Sequence, residues 1–254
     1  MKIENGYLVF ENETISFKKV TGSHFGALNG LDRFKKKGDV ALQLMGMIVD
    51  EQLTEEVVEV SEEDKKMNYY LRRGDIAEHL IISKYNKKGI ETLTFKKKDV
   101  NYDNFQDIKG FGGLTDIQLP TEKAVIECKS KEMNKYDSII KWGVSTEEIQ
   151  GEYYAHLLNW DTFITEWVFF TEEQAQQVKD RVKITSYNGM KNHTKTQNVD
   201  HDKINKMMDN CKTYLNTIFK ERRINLDHIS SDCLALLGLN EGVSLLPDNE
   251  DTPF

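Results

Sequence analysis

FGGLTDIQLPTEKAVIECKS, residues 111–130, reads as two strands joined by a turn at Pro120-Thr121-Glu122-Lys123. With those four residues as the loop, Leu119 faces Ala124, and counting back along the ladder puts Asp116 opposite Glu127. Side chains alternate between the faces of a strand. Asp116, Glu127 and Lys129 therefore share one face, while Ile117, Leu119, Ile126 and Cys128 share the other and point into apolar packing. Two carboxylates facing each other repel unless something compensates. A hard divalent cation would do so: Mg²⁺ commonly takes one or two carboxylates and completes its shell with water and substrate phosphates. Lys129 would then lie beside the ion, placed to hold or help deprotonate an attacking water and to offset phosphate charge. A surface hairpin carrying an ion-pair ladder fits the same residues.

Downstream, 145–158 (STEEIQGEYYAHLL) has a helical pattern, 164–170 (ITEWVFF) that of a strand, 172–182 that of a short helix, and 200–222 that of a long one. In the last, Ile204, Met207, Met208, Cys211, Tyr214, Leu215, Ile218 and Phe219 make one apolar stripe, which suits a core better than a cofactor site. Upstream, 91–97 (ETLTFKK) suggests a strand, 62–86 the longest helix, and 39–53 a mostly buried helix. Residues 21–30 suggest a short helix capped by Thr21 or Ser23 and ending at Gly30. Residues 7–19 suggest a hairpin turning near 11–14. Helices, then antiparallel strands, then helix and strand again point to an α/β (α+β) architecture with no internal repeat. The expected organisation is one domain over 1–235, with a core at about 20–172 and a helical extension at 173–235, followed by an acidic flexible tail over 236–254.

The chain has 254 residues, 39% of them apolar and 30% charged, with 3 prolines, which excludes disordered and collagen-like classes. No run of 18 apolar residues is present, and the opening MKIENGYLVFENET lacks the apolar stretch of a secretory signal. Cys128, Cys211 and Cys233 are too scattered for a disulfide framework or a CxxC metal site. The expected location is the cytoplasm. A net charge of −8 argues at first against a nucleic-acid partner. However, residues 50–64 hold eight acids and 241–254 hold four, with no Lys or Arg in either stretch, and the rest of the chain sums to +4. Basic clusters lie there at 33–37, 65–66, 72–73, 96–98 and 222–223. Any nucleic-acid groove must therefore be local, and its binding should weaken sharply with salt.

Four motifs in order resemble the PD-(D/E)xK nuclease superfamily. Asp116 followed across a short hairpin by Glu127-Cys128-Lys129 resembles its core motif. Arg73-Gly74-Asp75-Ile76-Ala77-Glu78 resembles its R-G-x-x-x-E signature. Gln150 and Tyr154, which share a helix face, resemble the Q-x-x-x-Y helix of RecB-like and phage exonuclease branches. Thr21, Ser23 and Gly30 resemble the opening of the YqaJ-like viral recombinase group, which includes lambda-type exonucleases. The resemblance spans roughly residues 20–172 and implies a restriction-endonuclease-like core with a mixed central sheet flanked by helices.

It also implies roles. Asp116 and Glu127 would be metal-binding carboxylates, with the backbone carbonyl of Cys128 as a further ligand and Glu78 reaching a second metal or its waters. The implied cofactor is Mg²⁺, as two ions, with Mn²⁺ equally suited to an oxygen-ligand site. Lys129 would be the catalytic lysine and Gln150 would orient it. Tyr154, Ser23, Arg72 and Arg73 would contact DNA, Ser23 at a terminal phosphate. The implied activity is a 5′→3′ exonuclease on the ends of linear double-stranded DNA. It would leave 3′ single strands for an annealing recombinase, act as a homo-oligomer (a trimer by resemblance), and be phage or prophage encoded in a bacterial host. A structure- or sequence-specific endonuclease, or a non-catalytic DNA-binding recombination module, fits the same fold. Some features depart from the family pattern: Thr115 stands where proline is common, His79 and His156 read as packing or surface residues, and three cysteines cannot supply the four-cysteine iron–sulfur site of one branch.

The ending Leu246-Pro247-Asp248-Asn249-Glu250-Asp251-Thr252-Pro253-Phe254 resembles the acidic tip of bacterial single-strand DNA-binding proteins. In that resemblance Asp251, Pro253 and Phe254 would dock on a partner that accepts such tips, for example an annealing recombinase, with Phe254 as anchor and the acids steering approach. An acidic tail with a chance ending fits equally.

Overall fold

A computed structural model describes residues 1–32, 34–48 and 62–239. The tail residues Asp251, Pro253 and Phe254, and residues 50–61 of the acidic stretch, lie outside these. In chain order the elements are β1 (Lys2–Glu4), β2 (Tyr7–Val9), α1 (Gly22–Leu28), α2 (Lys37–Leu44), α3 (Glu62–Asn86), β3 (Ile117–Leu119), β4 (Ala124–Glu132), α4 (Tyr136–Trp142), α5 (Ser145–Leu157), β5 (Thr162–Phe170), α6 (Glu172–Lys179), β6 (Lys191–Asn198), α7 (His201–Glu221), β7 (Arg223–Asn225) and α8 (Ser231–Leu236).

The hairpin at 111–130 forms with the register expected of it: Ile117 opposes Ile126, Gln118 opposes Val125 and Leu119 opposes Ala124. β4 then pairs in parallel with β5, and β5 antiparallel with β6, giving a mixed four-stranded sheet in the order β3-β4-β5-β6. Ile117, Leu119, Ala124, Ile126, Ile164, Val168 and Phe170 pack one face against α3 and α6 through Ala77, Leu80, Ile81, Tyr85 and Val178. Cys128 joins that packing, half-buried. On the opposite face Val125 and Phe163 pack against Ile149 and Tyr153 of α5, with Phe25 of α1 and Ile204 and Cys211 of α7 behind them. β5 is buried from Phe163 to Phe170 because it is central and covered on both sides, which is why its sequence runs apolar without alternating. The result is an α/β (α+β) fold, a mixed central sheet flanked by helices.

Several expected elements differ. The amino-terminal hairpin is β1–β2, turning at Asn5-Gly6, and not a hairpin over 7–19. Asn-Gly with both residues at positive φ is the favoured two-residue turn because its twist matches that of the strands. β2 pairs on its other side with β7, forming a second, three-stranded antiparallel sheet. α2 stops at Leu44, closed by Gly46 in the left-handed region, well short of residue 53. The strand expected at 91–97 reduces to a single bridge between Leu93 and Gln118, since three consecutive exposed lysines at 96–98 leave no apolar face to bury. On α7, Ile204, Cys211 and Ile218 are buried, but Phe219 at the end of the stripe is exposed. β6 (KNHTKTQN) gave no signal in sequence because, as a half-exposed edge strand, it needs no apolar alternation; its backbone completes the ladder and His193 stacks on Trp167.

Candidate active site

Register carries Asp116, just before β3, opposite Glu127 on β4. The Asp116 Oδ2 atom accepts a hydrogen bond of 2.8 Å from the backbone N–H of Cys128, which fixes the carboxylate against the strand. Glu127 points toward α5 and is only 1% exposed. Such an approach of strand and helix needs a small residue on the helix: a Cβ at Gly151 would stand 3.2 Å from the Glu127 Cβ. Lys129, two residues along the same face, donates through Nζ to Glu127 Oε1 at 2.5 Å and to Gln150 Oε1 at 3.3 Å. The structure thus brings Asp116, Glu127, Lys129 and Gln150 together on one face.

The second Glu127 oxygen, Oε2, is buried without a hydrogen-bond partner. An orphaned anionic oxygen at this depth is costly unless a cation or a proton meets it. Burial, followed by the charge of Asp116, pushes the Glu127 carboxyl up to about 8 against the opposing pull of Lys129. Asp116 is also raised by burial, opposed by Lys129, by the Cys128 N–H and by Lys97. Glu78 on α3 is half-buried, and burial together with Asp116 and Asp75 raises it to about 7. Burial alone would lower the Lys129 ammonium, but Glu127 and Asp116 outweigh it and hold the group charged. The side-chain donors suit a hard cation that keeps an incomplete protein shell: two carboxylates, one of them with a free oxygen. Among the described residues no group of three or more His, Cys, Asp or Glu side chains is placed to hold a metal ion.

Gln150 and Tyr154 meet the start of α1. The Tyr154 hydroxyl accepts from the Gly22 N–H at 3.1 Å, and its ring stacks on Phe105 with centroids 5.7 Å apart. A Cβ at Gly22 would come within 2.6 Å of Gln150 Cγ, and one at Gly113 within 2.5 Å of the Tyr154 hydroxyl. Tyr154 is 3% exposed, so it pins α1 and the segment before β3 around the site instead of presenting its ring to a DNA strand. Arg73 departs from the expected DNA contact for the same reason. At 6% exposure its guanidinium donates to Ser130 Oγ and Ser130 O at 3.2 Å each and to the Tyr69 hydroxyl at 3.2 Å, fastening α3 to β4. Arg72, half-buried, donates to Val178 O at 2.7 Å and ties α3 to α6. Ser23 is exposed at the start of α1, its hydroxyl 3.1 Å from that of Thr21. His79 is exposed, and the half-buried His156 places Nδ1 2.8 Å from His201 Nδ1.

No family model matches the chain, and no curated protein does. Among solved structures it is similar to the crystal structure of a phage related exonuclease from Haemophilus somnus 129PT, at 15% identity and a TM-score of 0.48, over 81% of this chain and 97% of that one. The likeness is weak, and the function proposed for this chain rests on its own side chains.

Two polar groups near the site escaped sequence reading. Glu147 on α5 accepts from the Trp167 indole N–H at 2.7 Å and pairs with Lys131, so its charge reaches both Glu127 and Lys129. On the opposite sheet face Glu166, 0% exposed, accepts from Lys84 Nζ at 2.6 Å, while its Oε2 is buried without a partner. An acid inside the apolar run ITEWVFF was the available signal, because a glutamate there must be buried and paired.

Proposed function

We propose that the chain is a metal-dependent deoxyribonuclease, an exonuclease that digests linear double-stranded DNA from its ends in the 5′→3′ direction and serves phage-type recombination by strand annealing. The observation that carries the reading is the convergence of Asp116, Glu127, Lys129 and Gln150, with one Glu127 oxygen left for a cation. Asp116, Glu127 and the Cys128 carbonyl would hold Mg²⁺ or Mn²⁺, with Glu78 available to a second ion or its waters. Such ions neutralise the scissile phosphate, activate water and stabilise the leaving alkoxide. The chain's own contribution is placement. Lys129 is kept protonated by its carboxylate neighbours and steered by Gln150, so it donates hydrogen bonds to a phosphate oxygen or an incoming water. Glu147, joined to Trp167 and Lys131, keeps the start of α5 in place behind it. Assembly as a ring of copies and recruitment of an annealing partner through Asp251, Pro253 and Phe254 belong to the same reading.

The test is digestion of linear duplex labelled at the 5′ or the 3′ end, alongside a closed circular plasmid, with Mg²⁺ or with chelator. Loss of the 5′ label first, intact circles and complete inhibition by chelator are expected. Nicked or linearised circles would replace the exonuclease with an endonuclease, and no cleavage of any substrate would remove the nuclease reading.

A further inference from the structure

The carboxylates that would hold a cation also repel a phosphodiester, so a nucleic-acid strand needs positive charge close by. With Arg73 and Arg72 committed inside the fold, that charge must come from elsewhere. The segment 93–104 supplies it. One end is fixed to β3, where Leu93 and Gln118 exchange both backbone hydrogen bonds at 2.9 Å. The other end is fixed to the segment leading into β3: the Asn104 N–H donates to Gly113 O at 2.9 Å, Asn104 Oδ1 accepts from the Thr115 N–H at 3.1 Å, and Asp103 Oδ1 accepts from the Gly113 N–H at 3.0 Å. Asp116 lies between the two fastenings, so whatever the segment carries is held beside it.

What it carries is exposed and basic. Lys96, Lys97 and Lys98 are all exposed. Successive turns fold them together: the Asp99 N–H donates to Lys96 O at 2.9 Å and the Tyr102 N–H to Lys97 O at 2.8 Å, with Asn101 and Tyr102 in the left-handed region. Within the segment itself the acids are Asp99 and Asp103, and Asp103 is already paired with Lys19 at 2.6 Å, which leaves Asp99 against three lysines.

We propose that residues 93–104 form a strap that grips the sugar-phosphate backbone of the DNA strand beside Asp116, with Lys96, Lys97 and Lys98 as its phosphate contacts. The inference rests on the nuclease reading and adds how its substrate is held. It requires no base recognition, in keeping with an enzyme that digests any sequence.

The experiment uses the full chain carrying Lys129→Ala, so that duplex survives in Mg²⁺, and measures affinity for a fluorescent linear duplex over a series of salt concentrations. Into this parent are placed Lys96→Ala, Lys97→Ala and Lys98→Ala together or, as a control, Lys206→Ala and Lys220→Ala on the exposed face of α7. Each lost phosphate contact should reduce the slope of log affinity against log salt by about 0.9, and should weaken binding at 0.1 M salt roughly tenfold. The strap variant should lose one to three such contacts (roughly) and keep the parent's urea midpoint, while the control keeps slope and affinity. Parent-like slope and affinity in the strap variant would overturn the strap and leave the nuclease reading standing. If the parent binds no duplex and the chain with Lys129 intact cuts none, the nuclease reading falls and the strap with it.

Discussion

Glu127→Gln should make the metal-free protein more stable, by an amount that grows with pH. The Glu127 side chain is 1% exposed, and its carboxyl is pushed from the ordinary 4.5 up to about 8. Below pH 4.5 the group carries its proton in both the folded and the unfolded chain and contributes nothing to the pH dependence. Between 4.5 and 8 the unfolded chain releases the proton and the folded one keeps it, so wild-type stability falls by about 1.4 kcal/mol per pH unit. Glutamine has no such slope. The difference between variant and wild type should therefore widen by about 4 kcal/mol from pH 5 to pH 8, on top of a constant offset from the partner Lys129 loses. Glu78, raised to about 7, titrates in both proteins and drops out of the difference. Urea unfolding in chelator at pH 5, 6, 7 and 8 measures the effect, and a difference independent of pH would show that Glu127 is solvated and refute the reasoning. A second arm adds Mg²⁺. At a hundred times its dissociation constant the ion should restore about 2.7 kcal/mol to the wild type and nothing to the variant, and equal stabilisation of both would remove Glu127 from the metal ligands.

Lys129→Ala should cut cleavage of linear duplex by at least about a hundredfold while duplex affinity in Mg²⁺ changes little; activity within tenfold of wild type would remove its catalytic role. Gly113→Ala forces a Cβ onto a backbone at φ +123 and to 2.5 Å from the Tyr154 hydroxyl, which should cost about 1–3 kcal/mol from the backbone alone. Adding Tyr154→Phe removes the atom the methyl meets, so the double variant should lose less than the sum of the singles, and strictly additive losses in urea unfolding would contradict the contact. Lys84→Met strips the ion-pair partner from the fully buried Glu166 and should destabilise by about 3–5 kcal/mol; a shift in urea midpoint worth under about 1 kcal/mol would mean that water reaches that carboxylate.

The hairpin was legible because a four-residue turn and strict alternation leave a single register that buries Ile117, Leu119 and Ile126 together, and Asp116, Glu127 and Lys129 follow from it without further information. Gln150 reaches Lys129 from α5, which the missing side chain of Gly151 lets approach the Glu127 strand. The roles of Tyr154 and Arg73 were not legible. Aromatic and guanidinium groups serve equally well as DNA contacts and as buried anchors, and what decides between them here is the pairing of each with backbone far away in sequence, at Gly22 and at Ser130. β6 was invisible because a polar edge strand is held by its ladder and not by its side chains. The lysines at 96–98 read as one basic cluster among five. Only the two fastenings at Gln118 and at Gly113–Thr115 single them out, and those are backbone contacts that no side-chain pattern encodes.

The three-stranded sheet has a consequence for how the chain comes off the ribosome. Tyr7 of β2 pairs with Asn225 of β7, so the first strands emerge long before their partner exists. At roughly 5–20 residues per second, about 10–45 s of synthesis separates the two. During that interval Leu8 and Phe10, which end fully buried, have no completed sheet to enter, and a two-stranded hairpin alone is marginal in water. The central sheet, whose β3, β4 and β5 lie within 54 residues of one another, can assemble first, and the small sheet closes last. A truncation anywhere before β7 should therefore leave a nascent chain with a structured middle and a sticky beginning, a natural substrate for holding chaperones.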